Sequence, residues 1–303
     1  MTARLRRRPL SFVASNRMAP ASLTAPREAG SRTLSSPGRS RSRARARKRI
    51  VDALWFTAPF VVIVAVWYAV VAATGVPTRI FPQINDVVQT FVRIASSGQL
   101  VNDLSASLQR VFIGLALALV TGVPFGILMG ASRLASDFFS PLLRFSVAIS
   151  GIAWIPLATL WLGYGPHVCI FIIWNSVFFA VVYNALLGVR SIDGDLKRAA
   201  RSLGASPGRL FWEVLLPGAL PSIVTGMRVG LGYGWRGLLA AEMIATSAGL
   251  GYSLFEAQKH YDSAEIVLVM IIIGTLWLAM DRLMLAPLER RTIQRWGMIR
   301  RTP

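Results

Sequence analysis

The chain has 303 residues, of which 54% are hydrophobic and 16% are charged, and its mean hydropathy is +0.53. Soluble domains carry about 25% charged residues, so this composition indicates a membrane protein. The formal net charge of +19 does not indicate a nucleic-acid-binding domain, because fourteen basic side chains and only one acidic side chain lie in residues 1–50, away from the apolar part of the chain.

Residues 1–50 are rich in Arg, Ser, Pro and Ala and contain no apolar run long enough to fold or to span a bilayer. This composition predicts a disordered, cytoplasmic basic tail. An export signal with twin arginines is a weaker interpretation, because Arg17 interrupts the apolar residues that follow Arg6–Arg8. An organelle transit peptide and an over-extended start of the sequence also stay open.

Six apolar stretches approach the ~20 residues that a membrane-spanning helix needs. They occupy residues 53–73, 108–130, 140–162, 167–189, 218–246 and 265–287. The sequence therefore predicts an all-α polytopic protein with about six transmembrane helices, in a transmembrane domain at 51–290 that a short cytoplasmic tail at 291–303 follows. Six spans place both termini on one side, and the basic clusters of the tail, the 190–209 loop and the C terminus identify that side as the cytoplasm.

The segment 82–107 between the first two spans has apolar residues at helical spacing. They are Ile84, Val87, Val88, Phe91 and Ile94. This pattern predicts a short amphipathic helix at the outer membrane interface.

Several kinds of enzyme site are missing from the sequence. There is no G-x-x-x-x-G-K-[ST] motif, so hydrolysis of a nucleotide by a P-loop is excluded for this chain. Cys169 is the only cysteine, and neither His167 nor His260 has a second metal-ligand type at suitable spacing. We expect no catalytic residue, no metal site and no cofactor on this chain.

Residues 190–216 form a loop of about 27 residues, where a link between helices usually needs 2–8. Asp193 or Asp195 can cap a short helix through Lys197–Leu203, and Gly204 can end it in a left-handed conformation. Ser206-Pro207 predicts the start of a second helix, Arg209–Leu215, and Leu216-Pro217 closes the unit and starts the next span. The loop is therefore predicted to be a helix–turn–helix projection into the cytoplasm.

Within this loop, Ala199-Ala200-x-x-x-Gly204, nine residues and then Val214-x-Leu216-Pro217 resemble the EAA signature of bacterial ABC-importer permeases. The chain resembles the nitrate/sulfonate/taurine branch of that family over residues 79–297. Further matching segments are Ser107–Val111, Trp154–Leu157, Leu203–Ser206, Leu216–Ile223, Gly226–Gly230, Ala240–Met243 and Gly249–Gly251. In two places the chain departs from the pattern, since Arg198 replaces the leading Glu and Ser150–Ala153 replaces a Pro-rich run.

The resemblance implies a permease subunit of the bacterial inner membrane that forms the solute pathway as a homodimer. It implies that ATP binds to a separate ATPase subunit, which docks on the coupling loop at 190–216, and that a periplasmic solute-binding protein delivers the solute. The ATPase-docking residues are then Arg198, Ala199, Ala200, Gly204, Ala205, Leu216 and Pro217. Aliphatic sulfonates or taurine are the expected solutes, with nitrate second.

Two groups of residues in the spans bear on transport. Glycines at four-residue spacing predict flat helix-packing faces at Gly122, Gly126 and Gly130 and at Gly226, Gly230 and Gly234. Polar groups and an aromatic in the fifth span predict a lined pathway or structural ion pairs, namely Arg228, Trp235, Arg236 and Glu242. Asn175, Tyr183, Asn184, Trp154 and Trp174 are weaker candidates for the interior.

Two alternatives to an ATP-driven sulfonate importer stay open. A stand-alone secondary carrier would need intramembrane acids for ion coupling, and Glu242 is the only acid well inside an apolar stretch. The other alternative is an ABC permease for a different small solute.

Overall fold

The computed structural model describes residues 58–59, 61–71, 73, 77 and 80–295, and within them every regular element is a helix. The predicted tail 1–50 and residues 296–303 of the predicted C-terminal tail lie outside the described residues. The chain divides into two units after Val62, and the account below concerns the second, Ile63–Pro303. The α-helices are α1 (Val61–Val71), α2 (Ile84–Ser96), α3 (Gln99–Ala131), α4 (Arg133–Ala148), α5 (Ile155–Leu162), α6 (Pro166–Ser191), α7 (Gly194–Ser202), α8 (Pro207–Arg209), α9 (Leu216–Ala245), α10 (Leu250–Lys259), α11 (Ser263–Met280) and α12 (Ala286–Arg295).

Four helical stretches are long and apolar enough to cross a membrane, and a bent pair makes a fifth candidate. The four stretches are Gln99–Ala131, Pro166–Ser191, Pro207–Ala245 and Ser263–Arg290. The all-α polytopic fold is confirmed, but the described residues do not establish a count of six, because only part of the predicted first span is described. The helix predicted within 82–107 is present as α2, which buries Val87 and Ile94.

The uninterrupted span predicted at 140–162 is wrong. The chain turns by 92° between α4 and the helical pair that follows it, a 3₁₀ turn at Gly151–Trp154 and α5. The backbone is extended at Ile149, and Pro156 lies at the start of α5, where its missing N–H costs no hydrogen bond. Helix α4 therefore ends at Ala148 despite the apolar composition of the segment.

Helix α9 begins at Leu216, where the sequence predicts the start of the next span, but the predicted closure before it is absent, because one continuous helical stretch runs from Pro207 to Ala245. A π-helical turn at Leu210–Leu215 lies just before Pro217, and a second π-helical turn at Asp281–Leu285 lies just before Pro287. A proline ring clashes with the carbonyl four residues earlier in an α-helix. The wider turn gives the ring room, so the helix continues past each proline.

Helix α6 lies at the centre of the bundle, between α3 and α9, and the two glycine rows face it from opposite sides. A Cβ atom on Gly126 of α3 would lie 2.6 Å from the Cβ of Ala185, and one on Gly226 of α9 would lie 2.6 Å from the Cβ of Asn184. Gly122, Gly130, Gly230 and Gly234 also face α6. The backbones of three helices therefore approach closely along the core.

A buried polar clasp joins α3 to the Ala245 end of α9; we define it as Asp103, Ser107, Arg110, Glu242 and Ser253. Arg110 donates to Glu242 at 2.6 Å, and Ser107 donates to the same carboxylate at 2.8 Å. Arg110 is 7% exposed and Glu242 is fully buried. Both charges are thus compensated inside the protein.

The same clasp fixes the loop between α9 and α10. The backbone N–H of Gly249 donates to Asp103 at 2.9 Å, and that of Gly251 donates to Glu242 at 2.9 Å. Gly249 has φ +123°, and a Cβ atom there would lie 2.6 Å from the Glu242 carboxylate. The Gly249-Leu-Gly251 segment is therefore required for the backbone to reach the carboxylates.

We predict that Gly126→Ala destabilises the bundle by about 1–3 kcal/mol, because the new methyl group overpacks the contact with α6. The matched control is Gly274→Ala in α11, where no atom lies within 4 Å of the added Cβ and a small gain of about 0.4–1 kcal/mol is expected. Unfolding of both purified variants in detergent measures the difference, and equal stability of the two would contradict the packing role.

We predict that Glu242→Ala and Arg110→Met each destabilise the protein by about 3–5 kcal/mol, because each change leaves one buried charge without its partner. The double variant should lose less than the sum of the single variants, since the two groups share one interaction. Arg198→Met is the control, because Arg198 pairs with Asp195 on the surface of α7 with 77% of its side chain exposed, and loss of that pair should cost under ~1 kcal/mol. Strict additivity in the double variant would show that the clasp does not couple α3 to α9.

Candidate functional site

The predicted helix–turn–helix projection begins with α7, and its end signals are confirmed. Asp193 caps α7 by accepting from the N–H of Asp195 at 2.9 Å, and Gly204 ends the turn with φ +79°. Ser206 then caps the next helix through the N–H of Arg209. The sequence folds this way because each end has a residue that satisfies the unpaired backbone groups.

Lys197 attaches α7 to the end of α6, where its ammonium group donates to the carbonyl of Val189 at 2.7 Å. Burial lowers the pKa of Lys197, the neighbouring Arg201 lowers it further, and Asp193 opposes the shift. The contact joins the projection to the central helix of the bundle.

The residues predicted to dock an ATPase differ in exposure. Arg198, Ala199 and Gly204 are exposed, whereas Ala200, Ala205, Leu216 and Pro217 are half-buried. Ala200 packs against the hydrophobic core of this chain itself. Leu203, which is not among the docking residues predicted from the sequence, is 88% exposed. Its position next to Gly204 at the tip of the loop was the sequence feature that could have identified it.

The four residues predicted for a solute pathway do not meet on one surface. Glu242 belongs to the polar clasp, and Trp235 is 4% exposed and packs on Trp277, with ring centroids 6.2 Å apart. Arg228 pairs with Asp281 in a bidentate manner, because its Nε and Nη2 groups donate to the two carboxylate oxygens at 2.8 Å each. Arg228 also donates to Glu289. Of the four residues, only Arg236 lines a large cavity.

This cavity has a volume of about 850 Å³ and lies between α4 with its following 3₁₀ turn, α6 and α9. Its polar lining combines arginine, amide and hydroxyl groups from Arg144, Arg236, Asn175, Asn184, Ser146, Ser150, Ser176, Tyr183 and Tyr233. Its apolar lining includes Val147, Ile149, Ile152 and Val229. Three of the weaker candidates from the sequence, Asn175, Tyr183 and Asn184, therefore lie here. Trp154 and Trp174 instead contact the ring of Phe171, Trp154 edge-on and Trp174 at a tilt.

Among the described residues that line the cavity, arginine is the only charged type. Arg144 and Arg236 contribute guanidinium groups, and this described lining contains no Asp or Glu. Among the described residues, neither arginine forms an ion pair, in contrast to Arg110 and Arg228. The cavity is therefore electropositive. Sequence interpretation missed Arg144, although a lone arginine within the apolar stretch 140–162 was a usable signal.

Metal binding has no support in the part of the chain that the structure describes. No group of three or more His, Cys, Asp or Glu side chains is arranged there to hold an ion. The chemistry that the lining offers is hydrogen bonding and charge attraction, which suits a small anion with polar oxygens.

Comparison with known proteins gives consistent results. Residues 122–291 match the family described as binding-protein-dependent transport system inner membrane component. A probable ABC transporter permease protein of Brucella melitensis is 39% identical over 233 residues, which cover 77% of this chain and 94% of that protein. The taurine transport system permease protein of Escherichia coli is 34% identical over 235 residues, which cover 76% of this chain and 85% of that protein.

The fold is similar to that of a chain in an inward-facing structure of the MetNI methionine ABC transporter, with a TM-score of 0.55 and 22% identity over 65% of this chain and 98% of that one. The family match covers more than half of the sequence, and the fold agrees with it. The chain therefore belongs to the binding-protein-dependent transport system inner membrane components, as a permease subunit of an ABC importer.

Proposed function

We propose that this chain lines half of the pathway of an ATP-driven importer for small sulfonates such as taurine. The observation that carries the proposal is the electropositive cavity, in which Arg236 is exposed and has no acidic partner among the described residues. The E. coli relative named for taurine transport supports a sulfonate, because the sulfonate group is an anion that guanidinium groups bind well. Nitrate ranks second.

The depth of Arg236 supports a pathway made of two copies. Arg236 lies nine residues before Ala245, or about 14 Å along the helix, near the middle of a hydrocarbon core ~30 Å thick. An exposed arginine at that depth is too costly to face lipid. Val229 and Tyr233 are exposed beside it at 46% and 61%. We propose that a second copy of the chain covers this face and encloses the cavity as an aqueous pathway.

The coupling to ATP is proposed to run through the coupling loop at 190–216. A separate ATPase subunit would bind ATP and dock on the exposed tip of this loop, so that this chain needs no cofactor of its own. Because Pro207–Ala245 is one helical stretch, a displacement of the tip would move α9 and with it Arg236. Closure of the ATPase would then change which side of the membrane the cavity opens to.

The proposed orientation has both termini in the cytoplasm of a bacterium and the chain in its inner membrane. The basic residues of the coupling loop, among them Arg198, Arg201 and Arg209, support this orientation through the positive-inside rule. A periplasmic binding protein would deliver the solute to the opposite side, at the end of α9 that the polar clasp holds.

Growth of a deletion strain on single sulfur or nitrogen sources tests the solute. Loss of growth on taurine or an alkanesulfonate, with growth on sulfate retained, is the expected result. Restoration by the full chain assigns the defect to this protein. Normal growth on every sulfonate and on nitrate, with loss of uptake of a neutral or cationic solute, would overturn the assignment.

We predict that Leu203→Asp and Ala199→Asp abolish co-purification of the ATPase while leaving the amount of chain in the membrane unchanged. Each change places a charge in what should be a packed protein interface. These sites are sharper tests than Gly204, whose φ of +79° makes any side chain strained, or Ala200, which packs on the core of the chain.

The matched control for these variants is Tyr164→Asp, because Tyr164 is 76% exposed in the turn between α5 and α6 and is far from the coupling loop in sequence. It should retain the ATPase. Recovery of the ATPase at wild-type yield with both loop variants would contradict docking at this tip.

A further inference from the structure

We infer that Arg144 and Arg236 together form a binding site for an organic oxyanion inside the permease, and that this site, rather than the binding protein alone, selects for negative charge. The inference rests on the proposed importer function, since it names the residues of the pathway that contact the solute. It adds Arg144, which lies on a different helix from the arginines of the fifth span.

The first argument is that four arginines in one apolar bundle differ in whether an acidic side chain pairs with them. Arg110 is neutralised by Glu242 at 2.6 Å, and Arg228 is neutralised by Asp281 at 2.8 Å and by Glu289. Arg144 and Arg236 have no acidic partner among the described residues, and the part of the cavity lining that the structure describes contains no carboxylate. A charge in an apolar region needs a counter-charge or water, so these two guanidinium groups are available to an anion that enters.

The second argument is that the two guanidinium groups line one cavity from two different helices. Arg144 lies on α4, four residues before the end of that helix, and Arg236 lies on α9. The planar fork of a guanidinium group matches the spacing of oxygens in sulfonate and related oxyanions. An anion in this cavity would therefore meet hydrogen-bond donors from both helices.

The third argument is the composition of the remaining lining. Val147, Ile152 and Val229 provide an apolar surface next to the arginines. A bare inorganic anion gains nothing from this surface, whereas a short alkyl chain loses contact with water there. The cavity therefore favours an organic anion, with a charged head between the arginines and a short apolar tail.

The test uses the full chain in lipid nanodiscs with one reporter cysteine, Ala148→Cys, which lines the cavity one helical turn after Arg144. The native Cys169 is fully buried, and the parent chain measures its background. The cysteine is labelled with an anionic and with a cationic methanethiosulfonate reagent, and each rate is divided by the rate at which the same reagent reacts with free 2-mercaptoethanol. The ratio of the anionic to the cationic normalised rate reports the electrostatic potential at residue 148 without requiring a known solute.

We predict that the anionic reagent is favoured in the reporter chain. Arg144→Gln and Arg236→Gln should each change the anionic and the cationic labelling rates about tenfold in opposite directions, so that the ratio of the two rates falls about a hundredfold, as expected for loss of a unit charge within ~10 Å at an effective dielectric constant of about 20. Arg133→Gln is the matched control, because it removes the same charge from the same helix at a position outside the cavity lining. It should leave the preference unchanged. An equal effect of all three variants, or none in any, would overturn the site.

Protection by added solutes tests the organic-anion class. 1-Butanesulfonate should slow labelling of Ala148→Cys by either reagent more than nitrate does at the same concentration, and choline should not slow it. Equal protection by nitrate would overturn the preference for an organic tail, and protection by choline would overturn the anion site itself.

The growth assay and the labelling assay separate this inference from the proposed function. Wild-type sulfonate uptake with an unchanged labelling ratio in both arginine variants would overturn the anion site and leave the importer standing. The predicted labelling ratios with no sulfonate phenotype would support the site and contradict the solute proposed for the importer.

Discussion

The high cost of an unpaired charge inside a bilayer is the constraint on which the arrangement of this protein depends. Two arginines of the apolar bundle avoid this cost by pairing with carboxylates. Arg110 and Glu242 form the centre of the polar clasp, and Arg228 joins α9 to Asp281 at the end of α11. Arg144 and Arg236 instead line a cavity without acids. The same physical rule therefore separates the residues that hold the helices together from those available to a solute.

The position of the cavity depends on the packing around α6. Small residues on α3 and α9 let both helices approach the backbone of α6, and the polar clasp fixes α3 to the far end of α9. The bend after α4 lines the cavity together with α6 and α9. Because α9 continues without a break from α8 and the coupling loop, the helix that bears Arg236 is also the helix that a docked ATPase would move.

Local features of the structure followed from the sequence more completely than long-range contacts. The cap at Asp193, the left-handed Gly204 and the start at Ser206 were predictable because each depends on residues a few positions apart. The break at Ile149–Ser150 was missed because apolar composition measures length and not helix continuity. The unbroken connection between α8 and α9 was missed because a π-helical turn leaves no signal in composition or periodicity.

Pairing of the charged residues could not be predicted, because Arg110 and Glu242 are 132 residues apart and Arg228 and Asp281 are 53 apart. Sequence reasoning therefore grouped Arg228, Arg236 and Glu242 by their shared helix, although the structure gives each a different environment. Arg144 could not be grouped with Arg236 from the sequence, because the two lie in different apolar stretches and 92 residues apart. The role of a charged residue in an apolar bundle can be assigned only when its pairing partner is known.

The most direct measurement is a cryo-electron microscopy map of the permease assembled with its ATPase in lipid nanodiscs. Our account predicts two copies of the chain, with the Arg144 and Arg236 side chains of both copies facing one solvent-filled cavity at the subunit interface. A map in which Arg236 faces the lipid, or is paired with an acidic side chain of a neighbouring subunit, would contradict the account.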